Sequence, residues 1–245
     1  MLEARGLYKS FGDIPAVRGV SFAARDGQIT GLLGANGAGK STTLRMLYTV
    51  LRPDQGDAFI DGASVTAQPL AARRAIGVLS HGAGVYNHLT ARENIAYFGE
   101  LHGLSRADRD ARATELIELL EMQSFADRLA KGFSQGQKLK TALARALVHK
   151  PRNLLLDEPT NGLDVMAVRG LRQLLAQLRD AGHCVLFSSH VMQEVEHLCD
   201  EVVVIARGQV VAAGTLDDIR AHGGDRLEDA FVALMSGDGG SGSAK

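Results

Sequence analysis

The chain has 245 residues, 45% of them hydrophobic, with 27 basic against 28 acidic side chains and a formal net charge of -1. That length suits one large α/β domain, or one domain with an inserted subdomain, and it can bury a sizeable core. The balanced charge gives no support to a nucleic-acid binder relying on bulk positive charge, and two cysteines do not make a disulfide framework.

The opening stretch, MLEARGLYKSFG, lacks the apolar core of a signal peptide. No apolar run approaches the roughly 18 residues of a membrane span. The chain is therefore expected to be cytoplasmic and to reach a membrane only through a partner. Two strand-like stretches come first, near Leu2–Tyr8 and Val17–Ala23. Gln28–Leu33 reads as a buried strand that runs into a Gly-rich turn and a helix over Lys40–Leu51. Pro53 and Gly56 stop that helix. Ala58–Asp61 and Ile76–Leu79 are further short strands.

From about Leu89 to Lys150 strand signals give way to helical spacing, with stripes at Leu116, Ile117 and Leu120 and at Leu139, Leu143, Ala146 and Leu147. This reads as a helical subdomain inserted into an α/β core. Strands return at Asn153–Leu156, Cys184–Phe187 and Val202–Ile205, with a helix stripe through Val168, Leu171, Leu175 and Leu178. Cys184 in its apolar run and Cys199 on an expected helix read as reduced, buried thiols. The alternation predicts a mainly parallel sheet with helices on both faces. The chain ends in a small, polar, flexible stretch over 237–245, read as a native tail or a foreign remnant.

Gly34-Ala-Asn-Gly-Ala-Gly-Lys40-Ser41 fits the phosphate-binding pattern GxxxxGK[ST], with a strand before it and a helix after it. Its glycines let backbone N–H groups turn inward around phosphate, and the helix start faces the same anion. Lys40 neutralises the outer phosphates, and Ser41 offers oxygen to Mg²⁺. Downstream, the strand Asn153–Leu156 ends in Asp157 and Glu158. Ligands sit at the carboxyl ends of strands in such sheets. Asp157 then faces the Mg²⁺ shell, and Glu158 orients or deprotonates the attacking water. The alternative for both acids is capping of the next helix.

Three more segments, Phe133–Gln137, Pro159–Asp164 and Ser188-Ser189-His190, complete an ordered set that resembles the ABC ATPases over roughly residues 2–220. The resemblance implies a P-loop NTPase (RecA-like) core over about 1–88 and 151–220, with an N-terminal antiparallel β subdomain. It implies a helical subdomain over about 89–150, and a C-terminal helix with a flexible tail over 221–245. By position, Gly34, Asn36, Gly37, Ala38, Gly39, Lys40, Ser41 and Thr42 look like the nucleotide-binding Walker A segment. Ser134, Gly136 and Gln137 look like the signature motif, and Asp157 and Glu158 like Walker B and its catalytic acid. Asp164 closes the D-loop, and His190 matches the switch histidine. Phe11 matches the aromatic that stacks on adenine; an ordinary core Phe is the other reading.

The family implies ATP and Mg²⁺ as ligands and a second ATPase subunit, expected as a homodimer. ATP would lie between one copy's P-loop and the other's Ser134. A separate integral membrane permease would bind on the cytoplasmic face. The segments Ile76–Leu79, Leu89–Asn94, Tyr97–Gly103 and Leu227–Val232 resemble the sodium-exporter (NatA-like) ATPases of the ABC-2 type. They imply export of sodium ions or small molecules, chosen by the permease. Two positions depart from the family pattern. His81 stands where most members carry the Q-loop glutamine, which leaves a Mg²⁺ contact, an indirect role through water or the permease, and a plain loop histidine as readings. Gln135 replaces the first signature glycine. Two other functions compete with the transport motor. A chromosome or DNA-repair ATPase would need long coiled-coil insertions and no nucleic-acid contact is expected here; a non-catalytic ATP-binding scaffold would not need Lys40, Glu158 and His190 together.

Overall fold

The computed structural model describes residues 1–82, 84–224 and 226–236. The polar tail expected over 237–245 lies outside them. An antiparallel sheet comes first. β1 (Leu2–Phe11) and β2 (Ile14–Ala24) form a hairpin, and β4 (Gln55–Ile60) and β5 (Ala63–Ser64) extend it in the order β2-β1-β4-β5. The hairpin runs three residues beyond Tyr8 because Phe11 pairs directly with Ile14 across a tight turn.

The second sheet is the core. Its order is β10-β9-β3-β8-β7-β6, from β3 (Ile29–Leu33), β6 (Ile76–Leu79), β7 (Asn153–Asp157), β8 (Cys184–Ser189), β9 (Glu201–Ala206) and β10 (Gln209–Gly214). Five strands are parallel, and β10 is an antiparallel edge. β3, β7 and β8 are buried at every position, which explains why they read as unbroken apolar runs. Their side chains alternate between two cores. Leu154, Leu156, Val185 and Phe187 join one; Leu155, Cys184 and Leu186 join the other. The second core is closed by α1 (Lys40–Leu47) and by the antiparallel sheet, through Leu44, Met46, Leu2 and Ile60. One layer is thus the expected N-terminal antiparallel sheet together with a helix.

The first core is closed by helices. Between β6 and β7 the described residues form α3 (Ala91–Leu101), α4 (Arg106–Leu119), a short 3₁₀ turn and α5 (Gln135–Leu147), with the short α2 (Pro69–Arg74) just before β6. After β7 come α6 (Val165–Asp180), α7 (Met192–Leu198), α8 (Leu216–Arg220) and α9 (Leu227–Ser236). Helix α1 stops at Leu47 rather than Leu51. Thr49 takes the left-handed conformation (φ 64°), and the amides of Val50 and Leu51 both turn back to the Arg45 carbonyl. Both cysteines are free and buried. Burial pushes the Cys184 thiol up to about 12, and that of Cys199 higher still. Among the described residues no helix is long and apolar enough to cross a membrane.

Candidate nucleotide site

The loop after β3 can close only with glycine at two positions. A Cβ at Gly39 (φ 108°) would stand 2.6 Å from the Ala16 carbonyl oxygen of β2, and one at Gly34 would stand 2.5 Å from that of Ile205 in β9. The loop is thereby wedged between the two sheets, and α1 begins at its end. Lys40 is buried and curls back over the loop, its Nζ donating to the carbonyls of Gly34 (2.7 Å) and Ala35 (3.1 Å). Burial lowers its pKa, against the opposing pull of Glu158 and Asp157. Asn36 and Gly37 are exposed at the mouth of the loop.

Asp157 ends β7 directly opposite Ser188 of β8. Its Oδ1 accepts from Ser188 Oγ (2.7 Å) and from Ser41 Oγ (2.9 Å), while Oδ2 is buried with no hydrogen-bond partner. A carboxylate oxygen left dry and unpaired beside a serine hydroxyl is an all-oxygen donor set of the kind a hard divalent cation takes. Ser41 and Asp157 therefore fit Mg²⁺. Ser188 is a residue that sequence reasoning missed in this role. The signal was present in the register, since the Ser188-Ser189 pair ends a strand parallel to β7.

Glu158 follows in the left-handed region (φ 50°), a strained setting for a non-glycine residue. Its N–H donates to Ser188 Oγ (3.0 Å). Oε1 lies 3.3 Å from His190 Nδ1 and 3.9 Å from Lys40 Nζ, and Oε2 lies 4.0 Å from His81 Nδ1. His190 is aimed by the turn before it, where Ser189 Oγ donates to Glu194 and accepts from Val191 N–H. His81, Asp157 and Glu158 line a cavity of about 390 Å³ with Gln135, Lys138 and Asn161.

Ser134, Gly136, Gln137, Asp164 and Phe11 lie outside the loop in sequence. Ser134 is the N-cap of α5, in a reciprocal capping box with Gln137; the two contacts are 3.2 and 3.0 Å. Asp164 is the N-cap of α6, accepting from Ala167 N–H at 2.8 Å. With Gly136 it lines a different cavity of about 590 Å³. Phe11 sits on the hairpin turn, 49% exposed, so it is not a core phenylalanine. Ala38 is buried, and Thr42 half-buried on the first turn of α1.

The family profile described as "ABC transporter" matches residues 17–161. The chain is 42% identical to the ABC transporter ATP-binding protein NatA of Bacillus subtilis, over 91% of this chain and 90% of that one. It is 39% identical to the daunorubicin/doxorubicin resistance ATP-binding protein DrrA of Streptomyces peucetius, over 94% of this chain and 71% of that one. Among solved structures, it is similar to an ATP-binding subunit of an ABC transporter (TM-score 0.86, 30% identity, 96% and 99% of the two chains). It is also similar to a dimeric post-hydrolysis cassette bound to ADP and Pi (TM-score 0.80, 26% identity, 88% and 99%).

Proposed function

This chain belongs to the ABC transporter family, as an ATP-binding subunit of the ABC-2 exporter type, and from that premise we propose how its residues divide the work. As a family member it binds nucleotide and is an ATPase. The reading of individual residues rests on one observation: Glu158 is held between His190 and Lys40, one residue beyond a carboxylate that Ser41 already touches.

Lys40 exchanges its two loop carbonyls for the outer phosphate oxygens, with the amides of Gly34–Ser41 and the start of α1 around them. Ser41 and Asp157 hold Mg²⁺, which when bound neutralises phosphate charge. Glu158 orients a water in the 390 Å³ cavity and accepts its proton. His190 donates to Glu158 Oε1, which keeps that carboxylate turned toward the phosphate chain. Phe11, exposed beside the strand that buttresses Gly39, is the platform for the adenine. Asn36, Gly37, Ala38 and Thr42 complete the cradle.

Ser134, Gly136 and Gln137 serve the phosphate of a second copy, and Asp164 fixes the start of α6 at that dimer contact. Likeness to a dimeric cassette supports this reading. The homodimer sits on the cytoplasmic face of a separate permease. Its export substrates are sodium ions or small molecules, the latter supported by similarity to a drug-resistance subunit. We retain the division into a core over 1–88 and 151–220, a helical subdomain over 89–150 and a C-terminal region as part of this proposal. The test is Mg²⁺-dependent phosphate release by the purified chain, alone and with membranes holding its permease. No turnover in either state would leave a nucleotide-binding scaffold instead.

A further inference from the structure

Arg145 lies in the last turns of α5 and has no acidic side chain within 4.0 Å among the described residues. Burial opposes its charge, and its Nε is buried without a partner. What holds it instead is Gly84, Tyr86 and the helix beneath. The guanidinium carbon stands 3.8 Å from the centroid of the Phe98 ring on α3 and 5.6 Å from that of Tyr86. Its Nη1 donates to the Gly84 carbonyl at 2.8 Å. A carboxylate would hold the cation more strongly, but it would not hold a loop backbone.

The loop's far end is separately fixed. Tyr86 N–H donates to Asn94 Oδ1 (2.9 Å), and Asn94 Nδ2 returns a bond to the Tyr86 carbonyl (3.1 Å). Asn94 is fully buried on α3. At the near end the chain leaves β6 at Leu79. Between these anchors stands His81, half exposed, with Nδ1 at 4.0 Å from Glu158 Oε2. That distance is beyond a hydrogen bond. A shift of about 1 Å in the loop decides whether the imidazole donates to the carboxylate. Arg145 hydrogen-bonds this loop from α5, the helix whose other end bears Ser134, about 16 Å away along its axis at 1.5 Å per residue.

We propose that Arg145 is a positioning residue for hydrolysis: through the Gly84 carbonyl it sets where His81 stands against Glu158. This rests on the hydrolytic role of Glu158 argued above. Arginine suits the position because its planar group stacks on Phe98 and donates to Gly84 at once; an ammonium satisfies one or the other.

The test is Arg145→Lys in the full chain, with and without His81→Ala, and with Phe98→Leu as a second route to the same loosening. In Arg145→Lys, kcat should fall about tenfold while KM for ATP stays within about twofold. In the His81→Ala background the same substitution should cost less than about twofold. Hydrogen exchange of the loop amides should quicken about tenfold in Arg145→Lys and in Phe98→Leu, with the rest of α5 unchanged. Equal losses of kcat in both backgrounds, or faster exchange throughout α5, would overturn the proposal and leave Arg145 as a packing residue. The exchange measurement needs no turnover, so an inactive wild type would remove the hydrolytic reading while still showing whether Arg145 pins the loop; unchanged loop exchange would remove the pin itself.

Discussion

Glu158 occupies the left-handed region, where a non-glycine residue stores on the order of 1 kcal/mol or more of strain. The backbone conformation points its carboxylate back between His190, Lys40 and His81 instead of along the strand. Glu158→Gln keeps the size and the hydrogen-bonding reach but removes the base. Phosphate release should drop by about 10²–10⁴-fold, while ATP affinity from a nucleotide titration stays close to wild type. Wild-type turnover in this variant would remove Glu158 from the chemistry. Lys40 acts on binding instead. Its buried ammonium is held by two loop carbonyls that phosphate oxygens can replace. Lys40→Ala deletes charge-assisted bonds of about 1.5–3 kcal/mol each, so ATP affinity should weaken by at least about tenfold. Equal affinity would mean that the loop does not cradle phosphate.

At the scale of the element, α5 owes its start to Ser134 twice over, once as N-cap and once through the returning Gln137 side chain. Two roles must therefore be separated, the cap and the proposed contact with a partner's phosphate. Ser134→Ala should lower stability by about 1 kcal/mol. Ser134→Asp caps equally well but sets a negative charge against phosphate. Its melting temperature should match wild type, while the ATP-induced dimer of a Glu158→Gln background should disappear on sizing. A persisting dimer would leave Ser134 as a cap alone. The elements that could be read in the sequence were those whose pattern is local. β3, its glycine loop and α1 form one continuous signal, and β7 announces itself by three leucines and two acids. Where α1 ends was not legible, because Thr49 gives up helical geometry for tertiary reasons that propensity does not carry. β10 was not legible either, being a short, half-exposed edge strand that exists only by pairing with β9. The same holds inside the site. Lys40, Asp157 and Glu158 follow from spacing, but the Ser188 bond to Asp157 and the approach of His81 to Glu158 depend on which strands lie side by side.

For the molecule as a whole, the junction between its helices and the main sheet carries a pH dependence. His149, just past α5, stacks on His102, at the end of α3, with ring centroids 3.7 Å apart, and reaches the Ile76 carbonyl of β6 at 2.9 Å. Burial, then the neighbouring His102, lowers the His149 pKa from 6.5 to about 4. The unfolded chain therefore takes up this proton first, so the contribution is complete above about pH 6.5 and is lost as pH falls toward 4. The urea midpoint should fall more steeply in wild type than in His149→Gln between about pH 7 and pH 5; parallel losses would place the acid sensitivity elsewhere. Assembly poses the larger question, because each copy is proposed to hold half of two sites. Lys40→Ala destroys a copy's own cradle, and Ser134→Asp destroys what it lends to its neighbour. Each variant alone should be nearly inactive. In a mixed dimer one site combines both defects, but the other pairs an intact cradle with an intact Ser134. Equal mixing with free exchange makes half of the dimers mixed, each with one sound site of two, so independent sites should recover up to about a quarter of wild-type turnover. A site built within one chain cannot be repaired in this way. Phosphate release from the mixture that never rises above the two separate variants, while mixed dimers are shown to form by differential tagging, would rule out the shared arrangement.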